Sequence, residues 1–419
     1  MKGPRQPTLD AEEWAGIGSA GAYRSACTRL AAWERWIQQQ QLAVTGVAAP
    51  TGYEALRAEW MSEAWRALGL ETHLDEAGNV LGYHAGEAGA RGVVAITAHL
   101  DTAFPAGTQV RPERRNGRLW GPGICDNGAG LAALLALARL LHEKKWRPRS
   151  PVLLVANVGE EGEGDLKGMR HLFSRQSRWA KEIAWTLVLD GPGVHQITSA
   201  ALPSVRLRVG FDGQGGHSWS DVGRASANSA AVRVGAALLA QVEPKAGQWG
   251  CNIGLLQGGS AVNAIAARAE MKLDLRAREP RRLVELEQAV RRAVAQGVEQ
   301  ENAAALSGRV RARLETIGER PGGSLPEDAQ ILRLVRQVDA ALGIVSQAQC
   351  ASTDANIPIA QGRQALRLGA GGKAGGIHTL QEWYDPGGRT LALRRILWVA
   401  WALSRTGIED EGRVRRRSA

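Results

Sequence analysis

At 419 residues and 44% apolar side chains, the chain is long for one compact core and ordinary for a soluble globular protein, so two domains are expected. No apolar run reaches the length of a membrane-spanning helix and none follows the opening MKGPRQPTLD, so a cytoplasmic protein with no membrane association is expected. The net charge of +10 raises the question of a nucleic-acid partner, but basic residues gather only in short clusters such as KKWRPR and the tail RVRRR, with no basic stripe interleaved with aromatics; a solvated face and a frayed tail account for them, and no nucleic acid is expected.

In chain order, ACTRLAAWERWIQQQ and YEALRAEWMSEAWRALG space their apolar residues as helices do, and LETHLDEAGNVLGYHAG turns back on itself at Gly78-Asn79 like a hairpin. GVVAITAHLD predicts a buried strand with a polar end, and GPGICDNGAGLAALLALARLLHEKK a glycine-rich loop feeding an apolar helix. SPVLLVANVGEE, IAWTLVLDGPG and ALRLGAGG predict further buried strands, the last leading into KAGGIHTLQEWYD. Strands alternating with helices imply an α/β fold with a helix-flanked, largely parallel sheet. A different pattern interrupts it. SVRLRVGFDG, EMKLDLRA and RVRARLETIGERP alternate like half-exposed strands, with helical SANSAAVRVGAALLAQV and RRLVELEQAVRRAVAQGV between them, which predicts a small α+β layer with one face covered by helices. The expected boundaries are 1–202 and 322–419 for the first domain and 203–321 for the inserted one. Cys27, Cys125, Cys251 and Cys350 are scattered without a CxxC pair, against a disulfide framework and against a cysteine zinc site.

In a largely parallel sheet the carboxyl ends of the strands line the functional crevice. Here those ends carry, or soon reach, His99 and Asp101, Glu160 and Glu161, Asp190, and His378. A solvated turn explains one such end easily and all of them badly. Imidazole and carboxylate together suit zinc or a related first-row divalent ion. His99 and Asp101, two apart on a strand, share one side; since a ligating histidine has its second ring nitrogen held by a carboxylate, Asp101 is better cast as the orienting group than as a ligand. Asp126, just before the apolar helix, reads in isolation as an N-cap, but glycines on both sides leave its loop free to take unusual geometry, and a carboxylate beside those strand ends can bridge two cations. In the pair Glu160–Glu161, one carboxylate can bind metal while its neighbour takes a proton from a water that the ion has acidified. Glu163 and Asp165 read as turn acids.

ITAHLDTAFP, GPGICDNGAG, NVGEEGEGD, LVLDGPG, GGHSWSD and GGIHTLQEWYD, in this order, resemble the successive signatures of the M20 dinuclear zinc peptidases and amidohydrolases, which include peptidase T, glutamate carboxypeptidase and aminoacylase-type enzymes. The resemblance runs from about Ala49 to Asp385, and Asp at 190 together with the GPGICDNGAG loop is closer to the peptidase T-like branch. It implies that Asp126 bridges two ions, with His99 and Asp190 completing one site and Glu161 and His378 the other, and that Glu160 is the catalytic base with Asp101 behind His99. It also implies a non-proline cis peptide at Asp126-Asn127. The inserted segment is similar to the family's lid and dimerisation domain, from which His217 would stabilise the oxyanion in a neighbouring subunit while Asn263 and Arg276 meet substrate. Read without the family, His217 is a surface or core histidine and Arg276 an exposed position on an alternating strand.

The expectation is thus a hydrolase that cleaves short peptides by metal-activated water with a glutamate base. Its cofactors would be two divalent ions, zinc first and cobalt or manganese next, and its working state a homodimer. The alternatives are an N-acyl amino acid deacylase with the same machinery and a non-catalytic binding relative, although every ligand position is filled.

Overall fold

The computed structural model describes residues 16–406, apart from 19, 89 and 91. MKGPRQPTLD and the tail RVRRR therefore lie outside the described residues. The rest divides into two compact units: Leu202–Gly323, and the chain on either side of it.

The first unit carries a nine-stranded mixed sheet: β1 (Glu71–Leu74), β2 (Val80–His84), β3 (Val93–His99), β4 (Val152–Asn157), β5 (Ile183–Leu189), β6 (Gln196–Ala201), β7 (Gly323–Ser324), β8 (Gln347–Ala351) and β9 (Gln364–Leu368). Across the sheet the order is β1-β2-β4-β3-β5-β9-β6-β7, with β8 also beside β6. The centre, β4-β3-β5-β9, is parallel, while the β1–β2 hairpin joins β4 antiparallel. Every residue of β3 and β4 is buried, as a strand covered on both faces requires. Alternation sorts their side chains into two layers. Val94, Ile96 and Ala98, with Leu154 and Ala156, face the larger core, whereas Val93 and Ala95, with Leu153 and Val155, face a smaller one.

The larger core is filled by α1 (Gly21–Ala32), α2 (Glu34–Gly46), α3 (Ala55–Ala67), α4 (Gly128–His142), α5 (Gln330–Leu342) and α6 (Arg389–Arg405). Helix α4 is buried almost all round, and each of its leucines stabilises the fold by roughly 1.5–3 kcal/mol through burial. The run ACTRLAAWERWIQQQ, which reads as one helix, is two: α1 and α2 meet at Trp33, whose φ −88°, ψ 5° leaves the helical region. Of the basic clusters, KKWRPR is anchored by a fully buried Trp146, so its aromatic ring is core.

The second unit is an antiparallel sheet in the order Trp249–Gly258, Arg268–Ala277, Ser204–Asp212, Arg311–Arg320. Val205, Leu207, Val209 and Phe211 alternate onto one face, where Ala230, Val234 and Leu238 of helix Ala227–Gln241 and Leu286 and Val290 of helix Pro280–Ala304 cover them. The strand Trp249–Gly258 has no counterpart in the sequence reading, because Gly250, Gly254 and Gly258 break its alternation.

Candidate metal centre

The site lies at the carboxyl ends of β3, β4, β5 and β9, within the first unit. His99 is the last residue of β3 and is buried, its backbone paired with Asn157 of β4. Its Nε2 lies 3.0 Å from Asp126 Oδ1. Its Nδ1 lies 3.0 Å from the main-chain carbonyl of Asp101 and 3.6 Å from that residue's Oδ1. Both atoms of Asp101 thus back the imidazole, the carbonyl more closely than the carboxylate.

The nearer partners of the Asp101 carboxylate lie elsewhere. Oδ1 accepts the Glu160 N–H at 2.9 Å, and Oδ2 accepts the Glu161 N–H at 2.8 Å and the Thr51 hydroxyl at 2.9 Å. One fully buried carboxylate therefore seats the whole Glu160–Glu161 turn. Glu54 accepts the preceding amide, Gly159 N–H, at 3.2 Å. Buried Arg57 holds the other side of the strand end by donating to the carbonyls of Leu100, Val47 and Thr45. Sequence patterns pointed to none of Thr51, Glu54 or Arg57, which lie in a helix and its leading turn far from any ligand motif.

Asp126 precedes α4 in a loop that contains a cis peptide at Asp126-Asn127, as the resemblance implied. The N-cap of α4 is Asn127, whose side-chain oxygen accepts the Gly130 N–H, so Asp126 is free of capping duty. Its two oxygens face opposite ways: Oδ1 towards His99 and Oδ2 towards His378 Nε2 at 3.1 Å. His378 Nε2 also lies 2.8 Å from Glu161 Oε1. The ring of His378 is 52% exposed and its backbone sits at φ 64°, a left-handed conformation rare for a residue with a Cβ. Asp190, just past β5, has Arg367 Nε 3.9 Å from its Oδ2. Behind the cluster, Asn157 at the end of β4 donates to buried Asp354 at 2.7 Å, from the STDANIP loop.

These side chains form overlapping groups whose ligand atoms lie within 4.8 Å of one another: His99, Asp126 and Asp190; Asp126, Glu161 and His378; and His99, Glu160 and Glu161. The first two share only Asp126, whose oxygens are divided between them. Electrostatics points the same way. Burial opposes a charge on His99, yet Asp101 and Asp126 carry its pKa well above the usual value. Hydrogen bonds to Asp126 and Glu161 push His378 up to about 11. Burial works against ionised Asp126, but His378 and His99 hold it well below the carboxylate range. Burial raises Asp190 in spite of Arg367. Carboxylates that favour positive charge at both imidazoles make a field that divalent cations can satisfy, and mixed imidazole–carboxylate donors suit zinc and its neighbours. The residues fit divalent ions of this kind.

The remaining expected site residues lie in the second unit. His217 pairs in a two-residue strand with Ala264, its N–H donates to Asp221 at 2.8 Å, and its ring is exposed. Asn263, also exposed, accepts the Ser218 N–H through its carbonyl at 3.0 Å. Arg276 is partly buried and pairs with Asp274 at 2.7 Å, on the same strand.

The sequence profile of peptidase family M20/M25/M40 matches residues 95–395, most of the chain and every residue of the cluster. The chain belongs to this family. It is a hydrolase, and its fold is shared by several solved structures. A tripeptidase from Staphylococcus aureus is 21% identical with a TM-score of 0.69, over 89% of this chain and 99% of that one. Aminopeptidase PepT from Bacillus cereus is 18% identical with a TM-score of 0.65, over 88% and 99%. An amidase of the hydantoinase/carbamoylase family from Burkholderia vietnamiensis is 16% identical with a TM-score of 0.69, over 90% and 98%. Among the described residues of this M20 hydrolase, no helix is long and apolar enough to cross a membrane.

Proposed function

We propose that this M20 hydrolase cleaves the amide bonds of short peptides with two divalent metal ions, zinc in preference to cobalt or manganese. The observation that carries the reading is the pair of donor groups that share Asp126, beside the buried Glu160–Glu161 turn. His99, Asp126 and Asp190 would hold one ion and Asp126, Glu161 and His378 the other. Ions held there would supply polarisation of a scissile carbonyl and would lower the pKa of water towards about 7.

The chain's own residues do the rest. Glu160 takes the proton of the attacking water on its carboxylate and delivers it to the departing amine nitrogen, so one group serves as base and then as acid. Asp101 holds the Glu160 and Glu161 amides with opposite oxygens, which fixes the direction of both side chains. In the inserted domain, His217 of one protomer would donate to the oxyanion developing in its partner, with Asn263 and Arg276 contacting substrate. Arg276 suits a peptide carboxylate because its fork is planar, and it is already oriented by Asp274. The working form is then a homodimer, acting in the cytoplasm.

N-deacylation is the second reading, favoured by the fold shared with an amidase as well as with peptidases. The test is metal analysis coupled to hydrolysis of free and N-blocked di- and tripeptides. Two ions per chain, with turnover of free peptides lost on chelation and restored by Zn²⁺, is expected. Turnover of N-acylated amino acids alone would move the assignment to deacylase, and absence of any metal-dependent hydrolysis would leave a binding relative.

A further inference from the structure

The carboxylate of Glu382 has no place in the donor groups, yet it is fully buried and surrounded by main chain. Its Oε1 accepts the N–H of Cys125 at 2.8 Å and of Asp126 at 3.0 Å, its Oε2 accepts the N–H of Gly123 at 2.9 Å, and its carbonyl accepts the N–H of Gly121 at 3.0 Å. A single residue thus takes up the amides along the loop that presents Asp126. Such convergent N–H groups form a cradle for an anion, and bonds to an ionised carboxylate are about twice as strong as neutral ones.

Glu382 also ends the turn that presents His378. That turn is closed by Thr379, whose N–H and hydroxyl donate to the Gly376 carbonyl, and the Glu382 N–H returns to the Thr379 carbonyl. The other edge of the Asp126 loop is held differently. Asn127 Nδ2 donates to the Leu189 carbonyl at 2.8 Å, which ties the Asp126 loop to the Asp190 strand independently, while the Asp190 N–H donates to the Leu368 carbonyl of β9 at 3.0 Å. His99 is fixed by the β-ladder and Glu161 by Asp101. Of the ligands grouped with Asp126, only His378 stands on a half-exposed turn, and the turn's carboxylate anchor is Glu382.

We infer that Glu382 is a positioning residue: by clamping the Asp126 loop to the His378 turn, it sets the affinity of the Asp126–Glu161–His378 subsite and leaves the His99–Asp126–Asp190 subsite largely to Asn127. The inference rests on the two-ion reading above. Removing a hydrogen-bonded partner behind a metal ligand typically weakens metal binding by about 10–100-fold. Glu382→Ala loses every carboxylate bond. Glu382→Gln keeps one acceptor oxygen for two amides but sets an NH₂ group against the third. Glu382→Asp is one methylene too short to reach them all.

The experiment is competitive Zn²⁺ titration of the full chain against a chromophoric chelator, with thermal unfolding in parallel. Wild type is expected to bind two ions. In Glu382→Ala one of the two should weaken about 10–100-fold while the other moves little, with Glu382→Gln in between. Asp339→Asn, which breaks the buried Asp339–Arg395 pair outside the ligand cluster, should lower thermal stability and leave both affinities alone. If Glu382→Ala does not fold, Glu382→Gln and Glu382→Asp decide the matter. Two ions bound by these variants with wild-type affinities overturn the positioning role, as does equal weakening in Asp339→Asn. Fewer than two ions in wild type would overturn the two-ion reading itself, and the inference with it.

Discussion

Replacing Asp101 by asparagine is the smallest change that tests how the Glu160–Glu161 turn is held. The side chain keeps its shape and one acceptor oxygen, but its other terminal atom becomes a donor. The Thr51 hydroxyl can rotate to accept from the new NH₂, so that contact survives. One amide of Glu160 or Glu161 cannot adapt, and it is left facing a donor in a site where the native residue is fully buried. An orphaned buried N–H costs about 1–3 kcal/mol, and the surviving bond falls from charge-assisted to neutral, so the turn should lose about 2–3 kcal/mol of local stability. At 1.4 kcal/mol per decade, this corresponds to hydrogen exchange about 30- to 150-fold faster at these amides. The assay is exchange followed by mass spectrometry on a peptide covering 155–165 in the metal-free protein, with Thr51→Val as a comparison that spares both amides. Exchange within about threefold of wild type in Asp101→Asn would refute the view that this carboxylate seats the turn.

Two further outcomes follow from the site. Glu160→Gln should keep both ions and the fold while turnover falls by about 10²–10⁴-fold, the usual contribution of a general base, whereas Glu161→Gln should lose occupancy of one ion; the reverse pattern, read by metal analysis and kinetics, would exchange the two roles. Mixed dimers of His217→Ala and Glu160→Ala chains, with subunit exchange confirmed, should regain activity that both parents lack if His217 acts across the dimer, and should stay inactive if it acts within its own chain.

How much of this could be read from the sequence follows from range. The buried strands were legible because a strand covered on both faces must be mainly apolar, and Val93–His99 and Val152–Asn157 are, with polar residues only at Thr97 and at the ends, His99 and Asn157. Of the proposed ligands, His99, Glu161 and Asp190 were legible because they stand at or just past the points where such strands stop. The division between α1 and α2 was not, since a one-residue break at Trp33 does not interrupt the apolar spacing. Nor was the strand Trp249–Gly258, because its partners, not its composition, make it a strand. Asp101 was assigned to His99 from their i, i+2 spacing, and the structure adds the closer bonds that spacing cannot encode: those to Glu160 and Glu161, some sixty residues on.

The same limit explains why Glu382 escapes a motif reading although it stands four residues after a ligand. In HTLQEWYD nothing distinguishes it from the acids of NVGEEGEGD, where Glu163 and Asp165 read as turn residues. What separates them is burial, and burial belongs to the fold. A carboxylate that becomes fully buried must find donors, and the nearest are main-chain amides, which any sequence supplies. Residues proposed to hold metal must be His, Asp or Glu, and most of them stand at or just past the ends of recognisable strands. Residues that aim those ligands meet backbone, and backbone carries no sequence signature. Most of the outer ring of this site, Glu54, Arg57, Asn127 and Glu382, acts through main-chain contacts, with Thr51 reaching the Asp101 carboxylate, so it emerges only once strand ends and loops have been brought together.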